Sequence, residues 1–287
     1  PITLRLITFF SLPLPKFKKS KMTELKQQIF VAAHPNTFPK KGFELACHLA
    51  KRYEKEICFF GIPEQKDEDI DTYAPTFDQW AKECQSQQPE LKVNSYVLDV
   101  DYDFTDCMEH SEASMIIFEI TDKKPYNKPL KQLGWCRHLR IPYFFVKADQ
   151  PIKFDKVLVP VSRLIEEREK GPFSSSMGRF FNSEILLMPA NDYGSNAKQN
   201  TQAIQTLLDK FSLKYQYVTA KKDSSGVEKE AALKANELGA DMLIISASRD
   251  YGMDDIIFGP KELKIIKKTN IPVMVINPRG DLYTLCG

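Results

Sequence analysis

The sequence repeats itself, and the repeat limits the architectures open to it. Residues 29–33 (Ile-Phe-Val-Ala-Ala) and 157–161 (Val-Leu-Val-Pro-Val) are short apolar, β-rich runs, and 56–60 and 184–188 form a second such pair; both pairs are offset by 128 residues. Further on, 113–118 matches 240–245 and 141–146 matches 271–276, with offsets of 127 and 130. A weaker pair, 91–96 and 213–218, lies between them at an offset of 122. Order is kept throughout, so the chain reads as two copies of one unit with small insertions.

Apolar runs this short, bounded by Pro, Asn and Asp, read as strands covered on both faces, as in a parallel sheet. Helical stripes fill the gaps. Phe43, Leu45, Ala46, Leu49, Ala50 and Tyr53 give one, and Ala203, Ile204, Leu207, Leu208 and Phe211 another. A third, Ala231, Ala232, Ala235 and Leu238, is closed by Gly239, the usual residue past a helix end. Alternating strands and helices predict an α/β fold of two tandem, doubly wound, open parallel sheets of five strands each. The 287 residues suit two domains, assigned here to 22–150 and 151–287 with the boundary near 149–155. In such sheets ligands bind beyond the carboxyl ends of the strands where strand order reverses. The turns after Ala33, Ile120, Val161 and Ala247 are therefore the ones to inspect.

Residues 1–21 read as a disordered leader. Their apolar run, 2–14, is broken by Pro13, is too short to span a bilayer, and is followed by its positive charge instead of preceded by it as in a secretory signal. The net charge of +2, with basic residues scattered, gives no nucleic-acid footprint, and no membrane partner is expected. Six cysteines without a CxxC pair suit a reducing compartment, and the cytoplasm is the expected location. Neither GxxxxGK[ST] nor GxGxxG is present. His34, His48, His110 and His138 lack metal-ligand spacing, so no metal is expected.

The segment 240–260, Ala-Asp-Met-Leu-Ile-Ile-Ser-Ala-Ser-Arg-Asp-Tyr-Gly-Met-Asp-Asp-Ile-Ile-Phe-Gly-Pro, followed by a helical stretch and Asn-Ile-Pro-Val-Met-Val-Ile at 270–276, resembles the universal stress protein domain. The first half is similar to it more loosely. The resemblance implies the Rossmann-like fold of the adenine nucleotide alpha hydrolases. It also implies an intramolecular pseudo-dimer in which 143–146 and 273–276, exposed edges that call for a cover, form the pairing surface. A homodimer is compatible with it.

ATP-binding members of that family carry Gly-x2-Gly-x9-Gly followed by Ser or Thr, where glycines and a helix start let backbone amides approach phosphates. With the last glycine at Gly259, the first two glycine positions hold Ser246 and Arg249, and the hydroxyl position holds Pro260. The family's acidic residue after the first strand falls at Ser162, and at His34 in the first half. The first-half loop 121–129 has no glycine. The resemblance thus implies a degenerate nucleotide site in the second half, formed by Val161, Ser162, Arg163, Ser246, Ser248, Arg249, Gly252, Gly259, Pro260 and Lys261, with ATP as its ligand if it has one. Gly259 reads either as a structural cap before the helix or as a ligand contact. Ser174, Ser175 and Ser176 read as helix caps or a hydroxyl-lined anion site, and Arg163 and Arg168 as solvated charges or phosphate partners.

The functional expectation is a non-catalytic stress-response or regulatory protein. Two alternatives stand beside it: an ATP-binding switch or slow ATP hydrolase using the second half, and a scaffold holding a protein or small ligand between the domains.

Overall fold

A computed structural model describes residues 27–61, 70–97, 104–120, 129–248 and 259–279. The leader 1–21 lies outside them, as do Arg249 and Gly252. In chain order the elements are β1 (Gln28–Ala33), α1 (Lys40–Tyr53), β2 (Glu56–Gly61), α2 (Tyr73–Gln87), β3 (Val93–Val97), α3 (Phe104–His110), β4 (Ala113–Ile120), α4 (Pro129–Cys136) and β5 (Tyr143–Lys147). The second half follows with β6 (Lys156–Val161), α5 (Lys170–Phe181), β7 (Glu184–Pro189), α6 (Asn196–Lys210), β8 (Tyr215–Tyr217), α7 (Val227–Lys234), β9 (Met242–Ser246), α8 (Lys261–Lys268) and β10 (Val273–Ile276).

The strands form one sheet of ten in the order β3-β2-β1-β4-β5-β10-β9-β6-β7-β8. Nine strand neighbours are needed for that order, and eight of them pair in parallel. The exception is central: β5 and β10 run antiparallel, with Val273 opposite Phe145 and Val275 opposite Tyr143. Each half therefore keeps its own doubly wound order, reversing between β1 and β4 and between β6 and β9.

Side chains alternate across the sheet, so each face collects every second residue of each run. One face takes Val31, Phe59, Ile117, Phe144, Val159, Leu187 and Met274 beneath α1, α2, α5 and α6. The other takes Phe30, Phe60, Phe118, Phe145, Leu158, Leu186 and Leu243 beneath α3, α4, α7 and α8. Both apolar layers run unbroken through the β5–β10 seam. Burying one such Leu, Val or Phe contributes roughly 1.5–3 kcal/mol, which is why these runs cannot lie at the surface.

Two local expectations are corrected. The helix read from Ala231 to Leu238 stops at Lys234, and residues 235–239 form a turn ending at Gly239 in the left-handed region (φ 63°). Ser174, Ser175 and Ser176 are not caps but lie inside α5. Ser174 Oγ donates to Lys170 O (2.7 Å), and Ser176 Oγ donates to Tyr53 Oη of α1 (2.9 Å). The α5 sequence reaches back to Lys170 because the preceding 3-10 turn, Ile165–Glu169, feeds directly into the helix.

Candidate functional site

The carboxyl ends of β6 and β9 make the switch point of the second half. Pairing between the two strands covers only Val157–Met242 and Leu158–Leu243. Beyond Leu158 the chain leaves on opposite faces, into α5 from β6 and towards α8 from β9. The opening between them is where a ligand would enter such a sheet.

Charged side chains of the protein itself fill this opening. Lys170, the first residue of α5, is fully buried, and its ammonium donates to Pro160 O (2.7 Å), Glu167 Oε2 (2.8 Å) and Glu228 Oε1 (3.0 Å). An ammonium has three protons, so every one is used. Glu167 Oε2 also accepts the Ser162 N–H (3.0 Å), and Glu228 Oε1 the Ser246 N–H (2.9 Å). Lys261, at the start of α8, pairs with Glu228 Oε2 at 2.8 Å. Two carboxylates thus meet two ammonium groups, and the cluster is neutral.

The electrostatics follow from that pairing. Burial pushes the Glu228 carboxyl up, but Lys261 and Lys170 together pull it down to about 2. For Lys261 burial acts downwards and the Glu228 carboxylate upwards, and the carboxylate wins, raising the lysine above its ordinary value. Both groups therefore stay charged at neutral pH. A buried pair of this quality still has to offset the desolvation of its ions, so its presence marks a site that is specified in detail more than one that is simply stable.

The structure places the residues singled out by sequence differently from one another. Ser162, Ser246 and Lys261 come together around this cluster. Ser248 lies next to it, its N–H donated to Glu262 Oε1; Glu262 is fully buried and its carboxyl is raised by that burial. Val161 is buried in the core and offers only backbone. Arg163 is exposed and its backbone N–H donates to Ser224 Oγ (2.7 Å), and Arg168 Nε donates to Asn200 Oδ1 (2.9 Å). Asn200 in turn donates to Ser162 O and Leu164 O, fixing the turn after β6. Gly259 adopts φ 74°, and a Cβ there would lie 2.7 Å from Leu263 Cδ2. Pro260 is the N-cap of α8, with extended backbone, rather than its first helical residue.

Glu167, Lys170 and Glu228 were missed in sequence. Glu228 did leave a signal: it sits on the stripe Glu228, Ala231, Ala232, Ala235, where a carboxylate among alanines at helical spacing points inwards. Glu167 and Lys170 gave none, because the run Glu-Glu-Arg-Glu-Lys at 166–170 has the look of solvated charge.

The first half uses the same device with different parts. Glu119, near the end of β4, accepts the Lys41 N–H (2.6 Å) and the Gly42 N–H (2.9 Å), the free amides at the start of α1. Its carboxyl is raised by burial, with those two bonds acting in the opposite sense. His34 is half-buried against Tyr73, ring centroids 5.5 Å apart, and accepts the Asn36 N–H. The glycine-free loop 121–128 lies outside the described residues.

Among the described residues no cluster of three or more His, Cys, Asp or Glu side chains could hold a metal ion, and no helix is long and apolar enough to cross a membrane. Cys47, Cys58, Cys84, Cys107 and Cys136 are all buried.

No protein-family model matches the sequence, and no curated protein matches it. Solved structures do match the fold. A universal stress protein from Archaeoglobus fulgidus DSM 4304 is similar over 90% of this chain and 98% of its own, at 14% identity and a TM-score of 0.66. A functionally unknown protein from Pseudomonas aeruginosa PAO1 is similar over 91% and 95%, at 13% identity and a TM-score of 0.62. The chain has the Rossmann-like α/β fold found in universal stress protein structures.

Proposed function

We propose that this is a non-catalytic regulatory protein of the universal stress protein type, a tandem of two such units, whose second-half nucleotide position is taken by its own carboxylates. The observation that carries this reading is Glu228, which accepts the Ser246 amide while paired with Lys170 and Lys261. In the ATP-binding members that the sequence resembles, the residue at the Ser246 position is a glycine whose amide is open to phosphate. Here a carboxylate supplies the negative charge from within, so a phosphate would have to displace it and separate two ion pairs. Glu167 on Ser162 and Glu262 on Ser248 act the same way at the neighbouring amides.

The two halves, on this reading, stand to each other as the subunits of a single-domain relative. The antiparallel β5–β10 pair supports it, as do the bridges across the seam: Asn277 donates to Cys136 O and Leu139 O and accepts the Tyr143 hydroxyl. The buried thiols suit a reducing compartment, and the cytoplasm is the proposed location.

Calorimetry with magnesium and ATP tests the proposal. No heat of binding at millimolar nucleotide is expected. Binding in the micromolar range would replace this reading with a nucleotide-dependent switch.

A further inference from the structure

The strand order leaves β8 at one edge of the sheet, paired with β7 on one side only. Its register decides which backbone groups that pairing uses. Ile185 N–H donates to Lys214 O (2.9 Å) and Val218 N–H to Leu187 O (2.8 Å), so Lys214, Gln216 and Val218 turn their backbone groups towards β7. By alternation the N–H and C=O groups of Tyr215 and Tyr217 point away from the sheet. Among the described residues these four groups have no hydrogen-bond partner. Such an edge is a template for one more strand.

The side chains around the edge are arranged on both sides of it. Tyr215 and Tyr217 lie on the α6 face, where Gln205 Nε2 donates to the Tyr215 hydroxyl (2.8 Å) and the Tyr217 hydroxyl donates to Gln205 Oε1 (2.7 Å). Both rings are thus held beside the open backbone, and Tyr217 is exposed. Lys210 and Lys214 precede the strand and Lys221 and Lys222 follow it. All four are exposed, and among the described residues none forms an ion pair. The nearby carboxylates are engaged within the chain. Asp209 bonds to Gln205 and Tyr215, Asp223 to the Ser225 N–H and hydroxyl, and Glu230 to Lys234 and to the Lys221 and Lys222 amides. Lysines along an edge keep two copies of that edge apart. The same charge draws a strand of opposite sign.

We propose that the β8 edge is a docking site for an extended acidic segment of a partner protein, apolar at alternate positions. Its backbone bonds to the outward groups of Tyr215 and Tyr217, its apolar side chains fall on the two tyrosine rings, and carboxylates at its ends reach the four lysines. The site does not depend on what the crevice of the second half holds.

Amide NMR of the full chain, titrated with the capped peptide Glu-Glu-Val-Thr-Val-Glu-Glu, tests it. The Tyr215 and Tyr217 amides are expected to shift and to gain protection from hydrogen exchange, with a dissociation constant on the order of 100 μM. The Gln216 amide, already bonded to β7, should be protected with or without peptide. A peptide with lysine in place of each glutamate should bind about tenfold more weakly, and raising the salt from 50 to 500 mM should weaken the acidic peptide about fivefold. Tyr217→Pro removes an outward N–H that the chain itself does not use, and should weaken binding about tenfold. If that variant does not fold, Lys214→Glu combined with Lys221→Glu, both at exposed positions, should do the same. The proposal is overturned if millimolar acidic peptide leaves the Tyr215 and Tyr217 amides unmoved, or if the lysine peptide shifts them equally. Protection of those amides that rises with protein concentration alone also overturns it, since the occupant is then a second copy of the chain.

Discussion

Lys170 is a residue type almost never found fully buried without a partner, and its partners explain it. Replacing it by methionine leaves Glu167 buried beside Glu228 with one cation fewer, so Lys170→Met should destabilise the protein by about 3–5 kcal/mol, read from the urea midpoint. Glu228 makes a pH-dependent prediction. Its carboxyl lies near 4.5 when unfolded and is held at about 2 in the fold. The stabilisation is therefore complete above the unfolded value and is lost as pH falls from about 4.5 towards 2. Glu119 and Glu262 have the opposite sign: burial raises them, so their contribution is full in acid and falls as pH rises through the raised value. Glu228→Gln should lower stability at neutral pH and narrow the difference from wild type as the solution is acidified. A difference independent of pH would mean that the carboxylate charge is not what matters. None of this pairing was legible in sequence, because Lys170 and Glu228 are 58 positions apart and nothing local ties them together. Ser162, Ser246 and Lys261 were legible, since each stands next to a strand end or helix start that the apolar runs already located.

Elements were easier to read than their ends. The runs at 29–33, 56–60, 157–161 and 184–188 became β1, β2, β6 and β7 within a residue or two, because a strand buried on both faces must be apolar at every position. The weaker pair became β3 and the three-residue β8, edge strands with less burial to mark them. The serine run misled because hydroxyls that cap helices also bond back to the carbonyl four residues earlier, and in α5 Ser174 does the latter. Gly259 belongs to this scale. Its positive φ and the Leu263 side chain 2.7 Å from any added Cβ make it a conformational requirement of the turn into α8. Gly259→Ala should cost roughly 1–2 kcal/mol by thermal denaturation, with no ligand present. A neutral substitution would show that the turn relaxes freely and that the glycine is not needed for conformation.

At the scale of the whole molecule, two arrays of parallel strands share one antiparallel seam and two apolar layers that cross it. Tyr53 of α1 packs on Phe180 and Phe181 of α5, with centroids 5.0 and 5.6 Å apart, and Lys147 Nζ donates to Lys267 O and Thr269 O at the end of α8. Cores joined this way should unfold together, so urea transitions followed by fluorescence and by circular dichroism should coincide. Two separated transitions would show that each half is stable alone. The apolar runs announced the alternating strands and helices, yet they could not announce the filled crevice, which depends on charges brought together only by the finished sheet. That crevice is the centre of the account, and it can be watched directly. In a two-dimensional amide NMR titration of the full chain with magnesium and ATP, the Ser162 and Ser246 resonances should stay in place to millimolar nucleotide, since Glu167 and Glu228 already hold those amides. A saturable shift of both at micromolar ATP would mean that phosphate displaces the carboxylates, and would contradict the account.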